Sequence, residues 1–513
     1  MSTGFEIRVF ATSVRVYPGR EAAELLMPLI NLLTYEDEFQ EMTKTLGYIL
    51  DEEQDLLYFH KGVDVSYIHR LLGNAKVIHM PADDARHMQF EYEEIIPPRN
   101  NEQVDCINFI MGINQHKENE NDYQIFLVKN PGFGKTFCSG VAACRYGVKT
   151  LIIMHRDQLR KQWLKSLYQM CGLSEDEVHE IQDSQELYDI AYDHHEFDYD
   201  VYLMTHATFR AGLKRIGNLK DASNITKNLG IGLKIIDEAH LEFRDTLMMD
   251  FIFNVQRNLY LTATDGRSTK AENSIFKHVF ANTTFYRPST LLTSNQPSKW
   301  VEYNMVQLNT HAKQNIVRYR VEGGRGMNPA TYGKWVIAYD KKQTHFKCCR
   351  DILKMIYEKD PSAKVLLFMP LIDLCTECSY FLTKNLNYDE SFAYDLTIRT
   401  INSKNTKAEN EENKHADVIV TTVASCGTGT DIPGITDIIN CSPFVSQVTA
   451  KQVFGRIRYC GKDCHFYDVY DASVRMDGYW IKSRSKVFKQ LATKTNYITW
   501  EPDDEEDSEK NKI

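Results

Sequence analysis

No stretch of this 513-residue sequence stays apolar long enough to cross a bilayer. The nearest, VLLFMPLIDL, is broken by Pro370 and Asp373. No N-terminal segment has the basic-then-apolar form of a signal peptide, so a cytoplasmic protein without a membrane partner is expected. Its 12 cysteines are scattered singly, as suits reduced thiols in such a compartment. Cys375/Cys378 and Cys460/Cys464 with His465 are close in sequence, but the doubled spacing of a zinc module is missing. Short-period repeats are absent, which excludes a solenoid. An excess of positive charge is also absent. The formal net charge of −10 disfavours a protein that coats nucleic acid non-specifically, while leaving room for a local basic groove. Part of the acidity is concentrated in EPDDEEDSEK, Glu501 to Lys510, expected to be solvated and disordered.

What is present is an ordinary globular composition, long enough for three or four domains. Residues 1–92 mix short strands (FEIRVFATSVRVY) with helical stretches and suggest a small α/β accessory domain. Residues 93–288 alternate apolar strands (IFLV, TLIIM, VYLMT, LKIID, NLYLTAT) with helices, the pattern of a parallel sheet covered on both faces. Residues 289–345 are rich in Asn, Thr, Gln and Gly and suggest a connector with an insertion. Alternation resumes over 346–495 (KVLLFM, LTIRTI, DVIVTT, DIINCS, HFYDVYD), giving a second parallel unit, and 496–513 form the acidic tail.

The first chemical signal is KNPGFGKTFCSG, residues 129–140. It follows the apolar stretch Tyr123 to Val128 and precedes a run of small and apolar residues, so strand, glycine loop and helix occur in order. Gly132 and Gly134 let successive N–H groups point at one anion. Lys135 is placed to reach the β- and γ-phosphates and Thr136 to ligate Mg²⁺, with favourable dipole from the helix N-terminus. Position 129, where the common pattern has its first glycine, is lysine.

The second signal is LKIIDEAH, Leu233 to His240, where adjacent carboxylates end a strand. Asp237 suits a magnesium ligand and Glu238 an activator of the attacking water.

The order KNPGFGKT, IIDEAH, LTAT, CGTGTDIPG and QVFGRIR resembles the superfamily 2 helicases and translocases of the DEAH/DExH type. LIIMHRDQLRKQW resembles their motif Ia, VYLMTHATF motif Ib and KVLLFMP motif IV, so the resemblance spans roughly residues 95–475. Within that superfamily it resembles viral DNA helicases of the poxvirus transcript-release and T-even phage recombination kinds and, more distantly, the eukaryotic repair translocase XPB.

The resemblance implies two RecA-like lobes in tandem. It also implies an ATP hydrolase using ATP and Mg²⁺ that moves on or remodels DNA, with duplex or branched DNA favoured. RNA is the alternative substrate, and a partner-dependent motor subunit the alternative role. Replication, recombination or transcription proteins are the partners expected. Catalysis is then assigned to Lys135, Asp237, Glu238, Gln452, Arg456 and Arg458. ATP binding falls to Gln103, Asn130, Pro131, Gly132, Phe133, Gly134, Lys135 and Thr136, with Gly429 and Asp431 from the second lobe. Gln103 would read adenine, Thr136 and Asp237 would hold the metal, and His240, Thr262 and Thr264 would couple hydrolysis to movement. Arg156, Thr205, Thr208 and Thr421 would grip the nucleic-acid backbone, with Arg160 a further phosphate candidate; for each threonine, capping is the competing role. QVFGRIR also departs from the family's Q-x-x-G-R-x-x-R, because the second arginine comes one position early and Tyr459 takes its place. Arg456 is therefore expected to carry most of the catalytic charge, and Arg458 a lesser or nucleic-acid-facing share.

Overall fold

The computed structural model describes the chain apart from residues 1–3, 38–41, 46, 74, 113–123, 130–132, 156, 195–197, 263–269, 282, 287–297, 313–327, 427–431, 458–461 and 503–513. The chain divides into two compact units, Met1–Thr290 and Leu291–Ile513.

The first unit opens with a small sheet built from β1 (Glu6–Val9), β2 (Ser13–Tyr17), β5 (Tyr48–Asp51), β6 (Leu56–His60) and β7 (Lys76–His79). Their order is β5-β6-β2-β1-β7, antiparallel except for the β1–β7 pair. A separate hairpin joins β3 (Thr34–Asp37) to β4 (Met42–Thr45).

A seven-stranded parallel sheet follows. Its strands are β8 (Gln124–Val128), β9 (Thr150–Met154), β10 (Val178–Glu180), β11 (Val201–Thr205), β12 (Leu233–Ile236), β13 (Arg257–Thr262) and β14 (Thr284–Tyr286). The spatial order is β10-β11-β9-β12-β13-β8-β14. Every residue of β9, β11 and β12 is buried, because helices cover both faces and each side of the pleat meets apolar neighbours.

The small N-terminal sheet docks on this lobe through a buried polar centre. Asp250, on the helix Phe243–Ile252, accepts from Lys234 Nζ (2.5 Å) and Tyr260 OH (2.8 Å), and lies 3.1 Å from Nε2 of His60. Thr12 donates to the Asp250 carbonyl at 2.6 Å. Burial opposes ionisation, yet the Lys234 charge and the His60 contact hold the Asp250 carboxyl below the usual carboxylate range.

The second unit holds another seven-stranded parallel sheet. It comprises β15 (Ser298–Leu308), β16 (Val365–Met369), β17 (Ile398–Ile401), β18 (Val418–Thr422), β19 (Asp437–Asn440), β20 (Cys464–Asp471) and β21 (Ala492–Thr499), in the order β17-β18-β16-β19-β20-β15-β21. Two tandem parallel-sheet lobes after a small N-terminal sheet are the architecture expected.

One stretch differs from expectation. Ser298–Leu308, inside the segment read as an irregular connector, is an 11-residue strand between β20 and β21. Its partners lie more than 150 residues downstream, so no local turn announces it. The start of the stretch read as tail, through Thr499, completes β21. No helix among the described residues is long and apolar enough to cross a membrane.

Candidate nucleotide site

In the first lobe β12, β13 and β8 are consecutive and parallel. Their carboxyl ends therefore bring the acidic motif, Thr262 and the glycine loop to one edge of the sheet, where open α/β folds bind ligands.

β8 leads into the loop, and Lys129 N–H donates to the Thr262 carbonyl at 3.1 Å. The helix Lys135–Tyr146 starts after Gly134, whose φ of 97° is accessible to glycine with little strain. A Cβ at this position would lie 2.6 Å from Nε2 of Gln103. Lys135 Nζ donates back across the loop to the Lys129 carbonyl at 3.0 Å. Thr136 stands in the first turn of the helix. Asn130, Pro131 and Gly132 lie outside the described residues.

Two side chains from the segment before the loop brace it. Gln103 Nε2 and an Arg99 guanidinium nitrogen each donate to the Phe133 carbonyl at 2.7 Å. Gln103 Oε1 accepts from Arg99 N–H at 2.8 Å, and Asn100 caps the helix Asn101–Ile110 by accepting from Gln103 N–H. The buried amide of Gln103 thus engages the loop backbone, a connection the sequence did not reveal.

Lys129 also acquires a physical role. It is buried, its Nζ pairs with Glu102 at 2.5 Å, and it lies 4.8 Å from the ring centroids of both Phe133 and Tyr286. A glycine here would remove this cation and leave Glu102 without that partner. The substitution at the first loop position is therefore structural.

The acidic motif is equally well tied down. Asp237 N–H donates to the Ile153 carbonyl at 2.8 Å. Its Oδ1 accepts from Glu238 N–H, and its Oδ2 from the Trp163 indole, both at 2.9 Å. Burial and the neighbouring Glu238 charge push the Asp237 carboxyl up to about 6, against the opposing effects of the Trp163 hydrogen bond and the Lys135 charge. The adjacency of β12, β13 and β8, with Lys129 N–H bonded to the Thr262 carbonyl, brings the loop and the acidic motif to the same sheet edge.

Glu238 has φ of 50°, an uncommon backbone conformation for a residue with a side chain. Its carboxylate lies 3.2 Å from Nδ1 of His240, which is 2.9 Å from the Thr262 hydroxyl. Glu238 and Thr262 thus both approach Nδ1 of His240 where β12 and β13 end. Thr264 lies outside the described residues.

Thr205 caps the helix His206–Ile216 by accepting from Thr208 N–H at 3.0 Å, and the two hydroxyls lie 2.9 Å apart, both buried. Arg160 pairs with Glu180 at 3.1 Å. In the second unit, the buried Thr421 donates to the Ile401 carbonyl at 2.5 Å. Gln452 is buried on the helix Gln447–Phe454. Arg456 follows in a turn after that helix has ended. Arg156, Gly429, Asp431 and Arg458 lie outside the described residues.

Sequence reasoning missed Trp163 as a partner of Asp237. Leu159, Trp163 and Leu167 follow helical spacing and are all buried, which marks them as core without revealing where the indole N–H points.

The residues present fit a magnesium nucleotide. Asp237 is a buried carboxylate whose two oxygens each accept one described hydrogen bond, leaving lone pairs for a cation directly or through water. Lys135 is a cation at a helix start behind a left-handed glycine, suited to phosphate oxygens.

Residues 96–267 match the family described as type III restriction enzyme, res subunit. No curated protein matches the chain. Among solved structures, the chain is similar to a fragment of a putative HsdR subunit of a type I restriction enzyme from Vibrio vulnificus YJ016. The TM-score is 0.51 at 14% identity, covering 77% of this chain and 68% of that one. It is also similar to the Hef helicase domain of Pyrococcus furiosus (TM-score 0.43, 13% identity, 75% and 97% covered). A third similar structure is S. cerevisiae Dbp5 bound to RNA and ADP BeF3 (TM-score 0.49, 12% identity, 80% and 96% covered). At these identities the likeness is one of fold.

Proposed function

We propose that this chain is an ATP-driven nucleic-acid motor of the superfamily 2 type and that it acts on DNA. The observation that carries this reading is the adjacency of β12, β13 and β8, which brings the loop that starts the Lys135 helix to the same sheet edge as Asp237 and Glu238, with Thr262 and His240 between them. Lys135 would bind and orient the phosphates, and Thr136 with Asp237 would hold Mg²⁺, which supplies charge neutralisation at the phosphate oxygens. Glu238 would accept a proton from the attacking water. The contact of His240 with both Glu238 and Thr262 would let a loss of negative charge at the nucleotide be felt at the end of β13.

Support for DNA comes from the restriction-enzyme subunits named by the matched family and by the Vibrio vulnificus structure. The parts assigned to Gln452, Arg456, Arg458, Gly429 and Asp431 rest on motif order, as do backbone contacts by Arg156, Thr205, Thr208 and Thr421. We take Gln103 chiefly as a brace for the loop, since both ends of its amide contact the loop or its other brace.

The test is steady-state ATP hydrolysis measured in parallel with duplex DNA, branched DNA, single-stranded DNA and RNA. Stimulation by DNA that falls steeply with added salt is expected, because phosphate contacts release counterions. Stimulation by RNA alone would overturn DNA as substrate. Hydrolysis indifferent to every nucleic acid would overturn the motor.

A further inference from the structure

The C-terminal helix Arg475–Leu491 carries a pattern that the nucleotide site does not use. Arg475, Tyr479, Lys482, Lys486 and Lys489 are all exposed and recur at intervals of four, three, four and three. At about 100° per residue these five side chains fall within roughly 80° of arc, one stripe on one face. The opposite face is buried through Trp480, Ile481, Val487 and Phe488.

Arg484 fixes which face looks outward. It is fully buried, and its Nε lies 3.0 Å from both carboxylate oxygens of Asp468 on β20. Rotating the helix to hide the stripe would break this pair and leave two buried charges uncompensated.

The stripe continues onto β21, an edge strand of its sheet, where Tyr497 is exposed. Lys489 Nζ lies 2.9 Å from the Tyr497 hydroxyl, so helix and strand form one surface. Over Arg475–Thr499 the only acidic residue is Asp477, which is buried. The stripe's four exposed cations, Arg475, Lys482, Lys486 and Lys489, run without an exposed acid between them on a chain of net charge −10. A face that serves only solubility has no need to exclude acids, and mixed signs serve it well.

We infer that this stripe is a track for a single strand of nucleic acid, with the cations along the phosphates and the tyrosines under bases. Charge complementarity selects a polyanion. The aromatic pair selects the single strand, because Tyr479 and Tyr497 are 64% and 70% exposed. Tyr479 offers a stacking face, and Tyr497 the face away from Lys489, whose Nζ lies 5.2 Å from its ring centroid. Only unpaired bases can use such faces. The stripe is about 21 Å long by helical rise, enough to follow several nucleotides. This inference rests on the motor reading and adds to it a binding surface beyond the motif residues.

The test is anisotropy titration of a fluorescein-labelled oligothymidine across a salt series. It compares the unaltered chain with the triple variant Lys482→Gln, Lys486→Gln, Lys489→Gln and, separately, with Tyr479→Ala. All four positions are exposed, so melting and ATP hydrolysis without nucleic acid should be unchanged. The triple variant should bind at least about tenfold more weakly at low salt. Its slope of log affinity against log salt should be shallower by about 2, the share of three phosphates at ~0.7 each. Tyr479→Ala should lose about fivefold or more, with its salt slope unchanged.

An oligothymidine that binds the triple variant as it binds the unaltered chain overturns the track and leaves the motor reading intact. An equal loss on blunt duplex, with no effect of Tyr479→Ala, overturns the single-strand assignment. If the unaltered chain neither binds the oligonucleotide nor has its hydrolysis stimulated by any nucleic acid, the motor reading falls as well.

Discussion

The Trp163 indole donates to Oδ2 of Asp237 at 2.9 Å, joining residues 74 positions apart in a buried environment. A hydrogen bond from a neutral donor to a carboxylate contributes roughly 1.5–3 kcal/mol, and here it fixes the carboxylate that would hold the metal. Trp163→Phe keeps most of the ring volume and removes the donor. The magnesium concentration that half-saturates ATP hydrolysis should rise about tenfold or more, with a much smaller change in melting temperature. An unaltered magnesium dependence would show that the indole merely packs.

Gln103 offers a second test, because loop bracing and base reading differ in their consequences. Gln103→Ala removes one of two donors to the Phe133 carbonyl and the acceptor for Arg99 N–H. KM should rise several-fold for ATP and GTP alike, since a loosened loop binds any triphosphate less well. A loss confined to ATP would assign the residue to adenine.

The buried Asp250 centre ties the N-terminal sheet to the first lobe. Lys234→Met leaves the carboxylate without its main counter-charge, and truncating one partner of a buried pair costs about 3–5 kcal/mol. Chemical denaturation of the variant should show a loss of that order in the first unit. A change within about 0.5 kcal/mol, the range of ordinary surface substitutions, would mean that the centre is bystander chemistry.

Asp477 sets a pH dependence in the second unit. It accepts from Tyr332 OH at 2.9 Å and from Asp471 N–H at 2.8 Å. Burial nevertheless outweighs these contacts and the Arg484 charge, and raises the carboxyl from 3.8 to about 6. The native state therefore binds this proton more tightly than the unfolded state does. The contribution of Asp477 to stability falls as pH rises between about 4 and 6, by roughly 3 kcal/mol at most. Asp477→Asn keeps an acceptor and removes the titration. Relative to the unaltered chain, the variant should gain melting temperature between pH 4.5 and pH 7. A constant difference across that range would contradict the assignment.

How much of this could be read from the sequence depended on distance along the chain. The phosphate loop, the DEAH string and the strands around them are local patterns in which neighbouring residues supply both signal and meaning. The link of Lys129 to Glu102, the contact of Trp163 with Asp237 and the placement of β15 beside β20 and β21 all join distant positions. Composition misled at β15, where polar Asn and Gln within WVEYNMVQL obscured a strand that fills its place through Val301, Tyr303 and Val306. Thr205 and Thr208 fit either a backbone grip or a helix cap by sequence, and their hydroxyls meet at a helix cap.

The most direct test of the central claim is ATP binding and turnover by Glu238→Gln beside Lys135→Ala, with DNA present. Glutamine keeps the shape of Glu238 but cannot take a proton from water. The account predicts that Glu238→Gln retains labelled ATP on a filter while turnover falls by about a hundredfold or more, the usual scale of general-base catalysis. Lys135→Ala should lose both while keeping its fold. Near-normal turnover in either variant would contradict the account.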